Sequence, residues 1–144
     1  MASQGLRVIG MAYIKVENDR ERIDYSDLSD LVFLGLQGMM DPPREEVKDS
    51  IQQCKTAGIR VIMITGDHTL TAHSIARQLG IETEKAVSGS YIDDMTDEEL
   101  RDTLKNVSVF ARTSPEHKSR IVKLLKSDGE IVAVTGDGIN DAPA

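Results

Sequence analysis

Two tripeptides in the sequence are identical and sit in similar company. Thr65-Gly66-Asp67 follows the apolar run Ile62-Met63-Ile64, and Thr135-Gly136-Asp137 follows Val132-Ala133-Val134. An apolar run ending this way places a hydroxyl, a close-approach backbone and a carboxylate at the end of a buried strand. Ligands of open parallel sheets bind at the carboxyl ends of the strands. A helix starting there aims its first N–H groups at the same spot, which suits phosphate. One such triplet is weak evidence, because ordinary strand-to-helix turns also carry Gly and Asp; two in one sheet argue for a shared site. The second continues through Gly138, Ile139, Asn140 and Asp141 to Ala144. Asp137 and Asp141 thus offer two hard oxygen ligands at one strand mouth, of the kind Mg²⁺ accepts together with substrate phosphate. Asp141 equally suits the cap of a following helix.

Other polar residues read as ordinary. His68 and His73 fall on different helix faces, and neither they nor His117 have metal-ligand spacing. The single cysteine, Cys54, excludes an internal disulfide or a CxxC metal site and reads as a small buried side chain in a reducing compartment. Asp93, Asp94, Glu98 and Glu99 read as solvated charges, and Met39-Met40 as packing at a core edge.

The elements that must hold these groups are legible from periodicity and punctuation. Leu6–Val16 and Asp30–Met39 read as extended, with a polar loop between them. Asp41-Pro42-Pro43 stops a strand and starts a helix, a candidate boundary. Beyond it helix and strand alternate. A helix over Arg44–Ala57 buries Val47, Ile51, Cys54 and Ala57, with Gly58 as its C-terminal cap. Ile59–Thr65 is apolar throughout, as a strand buried on both faces should be. Thr69–Leu79 is a helix with Ala72, Ile75, Ala76 and Leu79 inward. Thr96 and Glu99 form a capping box for a helix to about Lys105. Val107–Ala111 is a strand. Ser114 caps and Pro115 opens a helix carrying Ile121, Val122, Leu124 and Leu125. Ile131–Thr135 is a further buried strand. The alternation predicts an α/β fold with a parallel sheet and helices on both faces.

Composition sets the outer limits. The chain has 144 residues, enough for one core. Aromatics are only 3%, so that core must be aliphatic. A net charge of -7 argues against a nucleic-acid partner but not against ATP, which one or two placed cations can hold. A bilayer span needs about 20 apolar residues, and no run approaches that. The start has no signal-peptide shape.

Four motifs then occur in one order. Asp41-Pro42-Pro43-Arg44 resembles the DPPR motif of the P-type cation-transporting ATPases, and Thr65-Gly66-Asp67-His68 their TGD motif. Phe110-Ala111-Arg112 with Ser114-Pro115-Glu116-His117-Lys118 resembles the segment bearing their phosphate-contacting lysine. Thr135–Ala144, TGDGINDAPA, resembles their hinge motif. The resemblance spans Leu6 to Ala144 and is closest to calcium-pump-like members. It implies a haloacid-dehalogenase-like Rossmann fold. Residues 1–40 would be the C-terminal tail of the nucleotide-binding domain, and 41–144 a partial phosphorylation domain.

The resemblance also implies roles. Lys118 would neutralise charge on the transferred phosphoryl group. Thr65 and Gly66 would hold its oxygens by hydroxyl and backbone N–H. Asp137 would bind Mg²⁺, with Asn140 and Asp141 completing the surroundings of phosphate and metal. Asp67, Arg112 and Arg7 would contact ATP, Arg7 being equally readable as a solvated strand residue. Thr65, Lys118 and Asp141 would be the catalytic set. The parent pump would be membrane-embedded, with this part soluble on the cytoplasmic side and partnered by ATP and the remaining domains.

The family nucleophile lies in a DKTGT strand, and no DKTG occurs here. The resemblance places that strand between those ending at Thr65 and Thr135, so the sheet would be incomplete and the isolated chain inactive. A non-catalytic phosphate-binding or interaction module, or a soluble haloacid-dehalogenase-like phosphatase, are the rival readings. The gap could close by direct pairing of Ile59–Thr65 with Ile131–Thr135, by insertion of Leu6–Val16, or by strand exchange with a second copy. Direct pairing is the expectation, because it needs only that the sheet close up with right-handed connections. It would draw Thr65 and Asp137 together by about one strand spacing, ~4.8 Å.

Overall fold

A computed structural model describes residues 1, 5–15, 22, 24–40 and 42–136. The fold rests on a short strand, β5 (Val109–Ala111), whose three residues are all fully buried. Successive side chains of a strand face opposite ways. Phe110 therefore enters one core, while Val109 and Ala111 enter the other. β5 lies between β3 (Met63–Ile64) and β4 (Val87–Ser88), and both pairings are parallel. Parallel pairs need crossover helices, which cover the two faces.

On the Val109 face sit α1 (Glu45–Thr56) through Ile51, and α2 (Thr69–Gln78) through Ala72 and Ala76 with the adjoining Leu79. On the Phe110 face sit α3 (Gly89–Asp94), α4 (Asp97–Asn106) and α5 (Pro115–Ser127). They contribute Ile92, Leu100 and Leu104, and Ile121 and Leu124, respectively. The core is aliphatic around one phenylalanine, as the scarcity of aromatics requires.

Most helix ends follow the sequence signals. Thr96 accepts from the Glu99 N–H while the Glu99 carboxylate accepts from the Thr96 N–H, closing the expected box on α4. Glu99 is therefore a capping group rather than a merely solvated charge, and these bonds hold its carboxyl below the usual carboxylate range. Ser114 caps α5, with Pro115 in its first turn. α1 runs Glu45–Thr56 and α2 Thr69–Gln78, within a residue of expectation. β4 and α3 carry no sequence signal, because a two-residue strand and a six-residue helix are too short to show a period.

Residues near the start form a separate antiparallel hairpin, β1 (Arg7–Tyr13) with β2 (Val32–Met39). The register slips between Met11 and Ala12, a bulge where Gly35 adopts a φ of +149° open chiefly to glycine. Both strands are mostly exposed, with Phe33 at 66% and Leu34 at 64%. Met39 and Met40 are likewise exposed and do not pack a core edge.

The strand expected over Ile131–Thr135 is a correction. Residues 131–136 carry no ladder, and Ile131 is completely exposed. Among the described residues β3 pairs only with β5, so direct closure of the sheet does not occur. Nor does Leu6–Val16 fill the gap, since β1 pairs with β2. The expected strand Ile59–Thr65 is reduced to Met63–Ile64, and Ile59 is exposed. The physical reason is shared: a strand exists only where a neighbour takes its N–H and C=O groups. β5 satisfies one side of β3, and nothing described occupies the other.

Leu100 is fully buried in the Phe110 core, whereas Phe33 lies on the bare hairpin. Leu100→Ala should destabilise the domain by about 2–5 kcal/mol, and Phe33→Ala by under about 0.5 kcal/mol. Urea unfolding followed by circular dichroism measures both. A larger loss at Phe33 than at Leu100 would mean that the hairpin, not the β5 sandwich, carries the stability.

Candidate functional site

The turns leaving β3 and β5 are stitched together. The Thr65 N–H donates to the Phe110 carbonyl at 2.9 Å as the ladder ends. The Thr65 carbonyl then accepts twice from Thr113, from its N–H at 3.1 Å and its hydroxyl at 3.0 Å. The Arg112 N–H donates to the Asp67 carbonyl at 2.9 Å. Thr65-Gly66-Asp67 and Arg112-Thr113-Ser114 thus form one surface at the carboxyl ends of two adjacent parallel strands, where the sequence places its phosphate chemistry.

Within the first turn, the Thr65 hydroxyl accepts from the Asp67 N–H at 3.1 Å and donates to the Asp67 carboxylate at 3.0 Å. The hydroxyl expected to hold a phosphate oxygen is therefore turned toward Asp67, and must exchange that partner to serve a ligand. Gly66 is exposed, and an added Cβ there would meet nothing within 4 Å. Its backbone is open to an approaching group without needing glycine for space.

Two helices begin at this surface. α2 follows the Thr65 turn, capped by His68, whose Nδ1 accepts from the Leu70 N–H at 3.3 Å. α5 follows the Arg112 turn. Each N-terminus presents the positive end of a helix dipole, while the first N–H groups of α5 are already bonded, His117 and Lys118 to Ser114 and Glu116 to its own carboxylate. Lys118 lies in the first turn of α5, half-buried, with its N–H donating to the Ser114 carbonyl. A half-buried lysine at a helix's positive end is not the solvated surface residue that its type usually denotes. Glu116 beside it is held below the usual carboxylate range, by a hydrogen bond with the Ser114 side chain first and its own backbone N–H next.

Of the other expected residues Arg112 belongs to this surface, Arg7 stands apart from it, and the rest lie outside the described residues. Arg112 is exposed and adopts a left-handed φ of 49° at the end of β5. Arg7 sits in the hairpin opposite Met39, exposed, and belongs to the other sheet. Asp137, Asn140 and Asp141 lie outside the described residues, as does Asp41. Among the described residues no group of three or more His, Cys, Asp or Glu side chains could hold a metal ion. None of the described helices is long and apolar enough to cross a membrane.

Two residues that shape the site were not singled out in the sequence. Thr113 is one; only the fold shows that its hydroxyl reaches the Thr65 carbonyl. Gly89 is the other. It is buried, and a Cβ there would run into the Arg112 carbonyl oxygen and stand 2.8 Å from the His117 ring. A lone glycine within a six-residue helix carries no sequence signal for that close approach.

The sequence matches the haloacid dehalogenase-like hydrolase family over residues 12–144. The chain belongs to that family. A parallel sheet with helices on both faces is the architecture in hand, so fold and sequence agree. Individual relatives are more specific. The chain is 49% identical to calcium-transporting ATPase 1 of Bacillus cereus, over 100% of its own length and 16% of that protein. It is 46% identical to calcium-transporting ATPase 1 of Lactococcus lactis, over 99% of its length and 16% of the relative. It is 45% identical to calcium-transporting ATPase 1 of Saccharomyces cerevisiae, over 100% of its length and again 16% of the relative. The chain thus spans about one sixth of the length of the relatives it matches. The family is one of hydrolases, and the resemblance to cation pumps read from the motifs extends along the whole chain.

Gly89→Ala should cost about 1–3 kcal/mol through overpacking. Its amide chemical-shift changes should centre on Arg112 and His117 rather than on α4. Urea unfolding and a heteronuclear correlation spectrum measure the two effects; a neutral substitution would show that α3 does not press on the Arg112 turn.

Proposed function

We propose that this chain is the phosphate-handling part of a P-type cation-transporting ATPase, in which ATP phosphorylates an aspartate supplied from outside this chain. The observation that carries the reading is the joined surface at the ends of β3 and β5, with two helix N-termini and the half-buried Lys118. Phosphoryl transfer needs little covalent help from a protein and much positioning and charge neutralisation. Lys118 would supply the positive charge, and the backbone N–H of Gly66 and the hydroxyl of Thr65 would hold oxygens once that hydroxyl leaves Asp67. Asp67, Arg112, Arg7 and Asn140 are the proposed ATP contacts. The two N-termini and the lysine fit a phosphoryl group. Mg²⁺, when bound, would neutralise phosphate charge, with Asp137 and Asp141 as its proposed ligands.

The resemblance to calcium-transporting relatives supports calcium as the transported cation and a membrane-embedded pump as the setting, with this part on the cytoplasmic side. Residues 1–40 would close a nucleotide-binding domain and 41–144 would belong to the phosphorylation domain. The bare apolar hairpin supports this division, because an isolated pair of strands is marginal in water and gains from further cover. One observation favours a second reading. The chain contains no DKTG, so by itself it would act as a phosphate-binding module without turnover.

With labelled ATP and Mg²⁺ this chain alone should form no acid-stable phosphoenzyme; a phosphoaspartate on it would show that it holds its own nucleophile. In the full-length pump, Lys118→Ala should slow phosphoryl transfer by on the order of 10²–10³, with little change in melting temperature. A normal phosphorylation rate with a collapsed melting temperature would reassign Lys118 to a structural role.

A further inference from the structure

His117 stands between Glu116 and Lys118 in the first turn of α5, and its ring is fixed on three sides. Its Nδ1 lies 3.0 Å from the Ser114 backbone nitrogen, while its own N–H donates to the Ser114 hydroxyl at 3.4 Å. His117 therefore takes the part of the usual Glu or Gln in a capping box. Its Nε2 lies 2.7 Å from Asp93 Oδ1, at the end of α3. Its ring rests on Gly89 at the start of α3, where a Cβ would stand 2.8 Å from Cε1 and Nδ1. The His117 side chain is only 13% exposed.

These contacts determine where the proton is. An amide nitrogen can only donate, so the Ser114 N–H requires a lone pair on Nδ1. The ring hydrogen must then sit on Nε2, where the Asp93 carboxylate accepts it. The neutral Nε2–H form satisfies both partners, whereas a hydrogen on Nδ1 would face the Ser114 N–H and open the cap.

The wall that His117 leans on is itself fixed to α5. Arg120, one turn further along the same face, donates to the Ile92 carbonyl at 2.7 Å and to the Met95 carbonyl at 2.7 Å. It also pairs with Asp97 at 2.8 Å. Arg120 holds the end of α3 and the start of α4, and His117 sets the first turn of α5 against that support. Lys118 projects about 100° round the helix from His117. Any rotation of that first turn carries Lys118 with it.

We propose that His117, in the Nε2–H form, is a positioning residue that fixes the angle at which α5 presents Lys118. The proposal rests on the phosphoryl-transfer reading of Lys118, and adds that the lysine is aimed by a histidine bridging α5 to α3. Gln in place of His117 keeps a cap acceptor for the Ser114 N–H and an N–H donor directed toward Asp93. Ala keeps neither.

The test uses this chain and no nucleotide. Long-range proton–nitrogen spectra of the imidazoles at neutral pH should show His117 with Nε2 protonated and Nδ1 bare; an Nδ1–H form or a doubly protonated ring overturns the proposal. Competitive acetylation read by mass spectrometry then compares Lys118 with Lys123 and Lys126 on the same helix. His117→Ala should change the Lys118 rate roughly fivefold, the factor matching loss of one helix cap, and leave Lys123 and Lys126 nearly unchanged. His117→Gln should restore Lys118 to within about twofold of the unsubstituted chain by the same arithmetic. An unchanged Lys118 rate in a folded His117→Ala chain, or an equal change at all three lysines, overturns the proposal. Should His117→Ala fail to fold, the imidazole spectrum and the Gln variant still decide. A Lys118 that moves as expected, but whose removal leaves phosphoryl transfer in the full-length pump intact, would instead sink the phosphoryl-transfer reading.

Discussion

Everything else in the parallel domain depends on the burial of three consecutive residues, Val109, Phe110 and Ala111. Because a strand alternates its side chains, three buried positions in a row demand cover on both faces. α1 and α2 supply one cover, and α3, α4 and α5 the other. β5 also takes a neighbour on each edge, so its backbone groups are satisfied along with its side chains. The other strands are shorter and more exposed because each has β5 on one side only. The order of the domain runs outward from this one strand.

The candidate site inherits its rigidity from that arrangement. The turns after β3 and β5 leave the sheet side by side, so their backbones can bond to each other: Thr113 to Thr65, and Arg112 to Asp67. Gly89 lets α3 press against the Arg112 carbonyl from the other side. The chain is acidic overall, at -7, yet two helices begin at this end, with Lys118 in the first turn of one of them. A small number of aligned dipoles and one cation can make a local anion site without a basic protein.

Two apolar surfaces stand without partners among the described residues, the faces of the β1–β2 hairpin and the segment Ile131–Thr135. They have one cause. Both carry apolar residues in strand-like runs, and neither finds cover for its side chains among the described residues; the hairpin strands take each other's hydrogen bonds, whereas residues 131–136 carry no ladder. The chain spans about one sixth of the length of the relatives it matches.

The sequence by itself determined the fold class and, among the described α-helices, α1, α2, α4 and α5, because these depend on local rules. The capping box at Thr96 and Glu99, Ser114-Pro115 at the start of α5, and the apolar faces of α1 and α2 lie within a few residues of one another along the chain. Apolar run, Thr-Gly-Asp and helix likewise stand in one short stretch, so the turn from β3 into α2 was legible. Strand pairing was not legible. Ile131–Thr135 has every local mark of a buried strand, and Ile59–Thr65 was read as longer than it is. A strand's existence depends on a partner that local sequence does not contain. His117 and Asp93 are 24 residues apart, and Thr113 and Thr65 are 48 apart. Only the tertiary structure brought these pairs together, since close packing across β5, not chain spacing, decides which turns and helix ends meet.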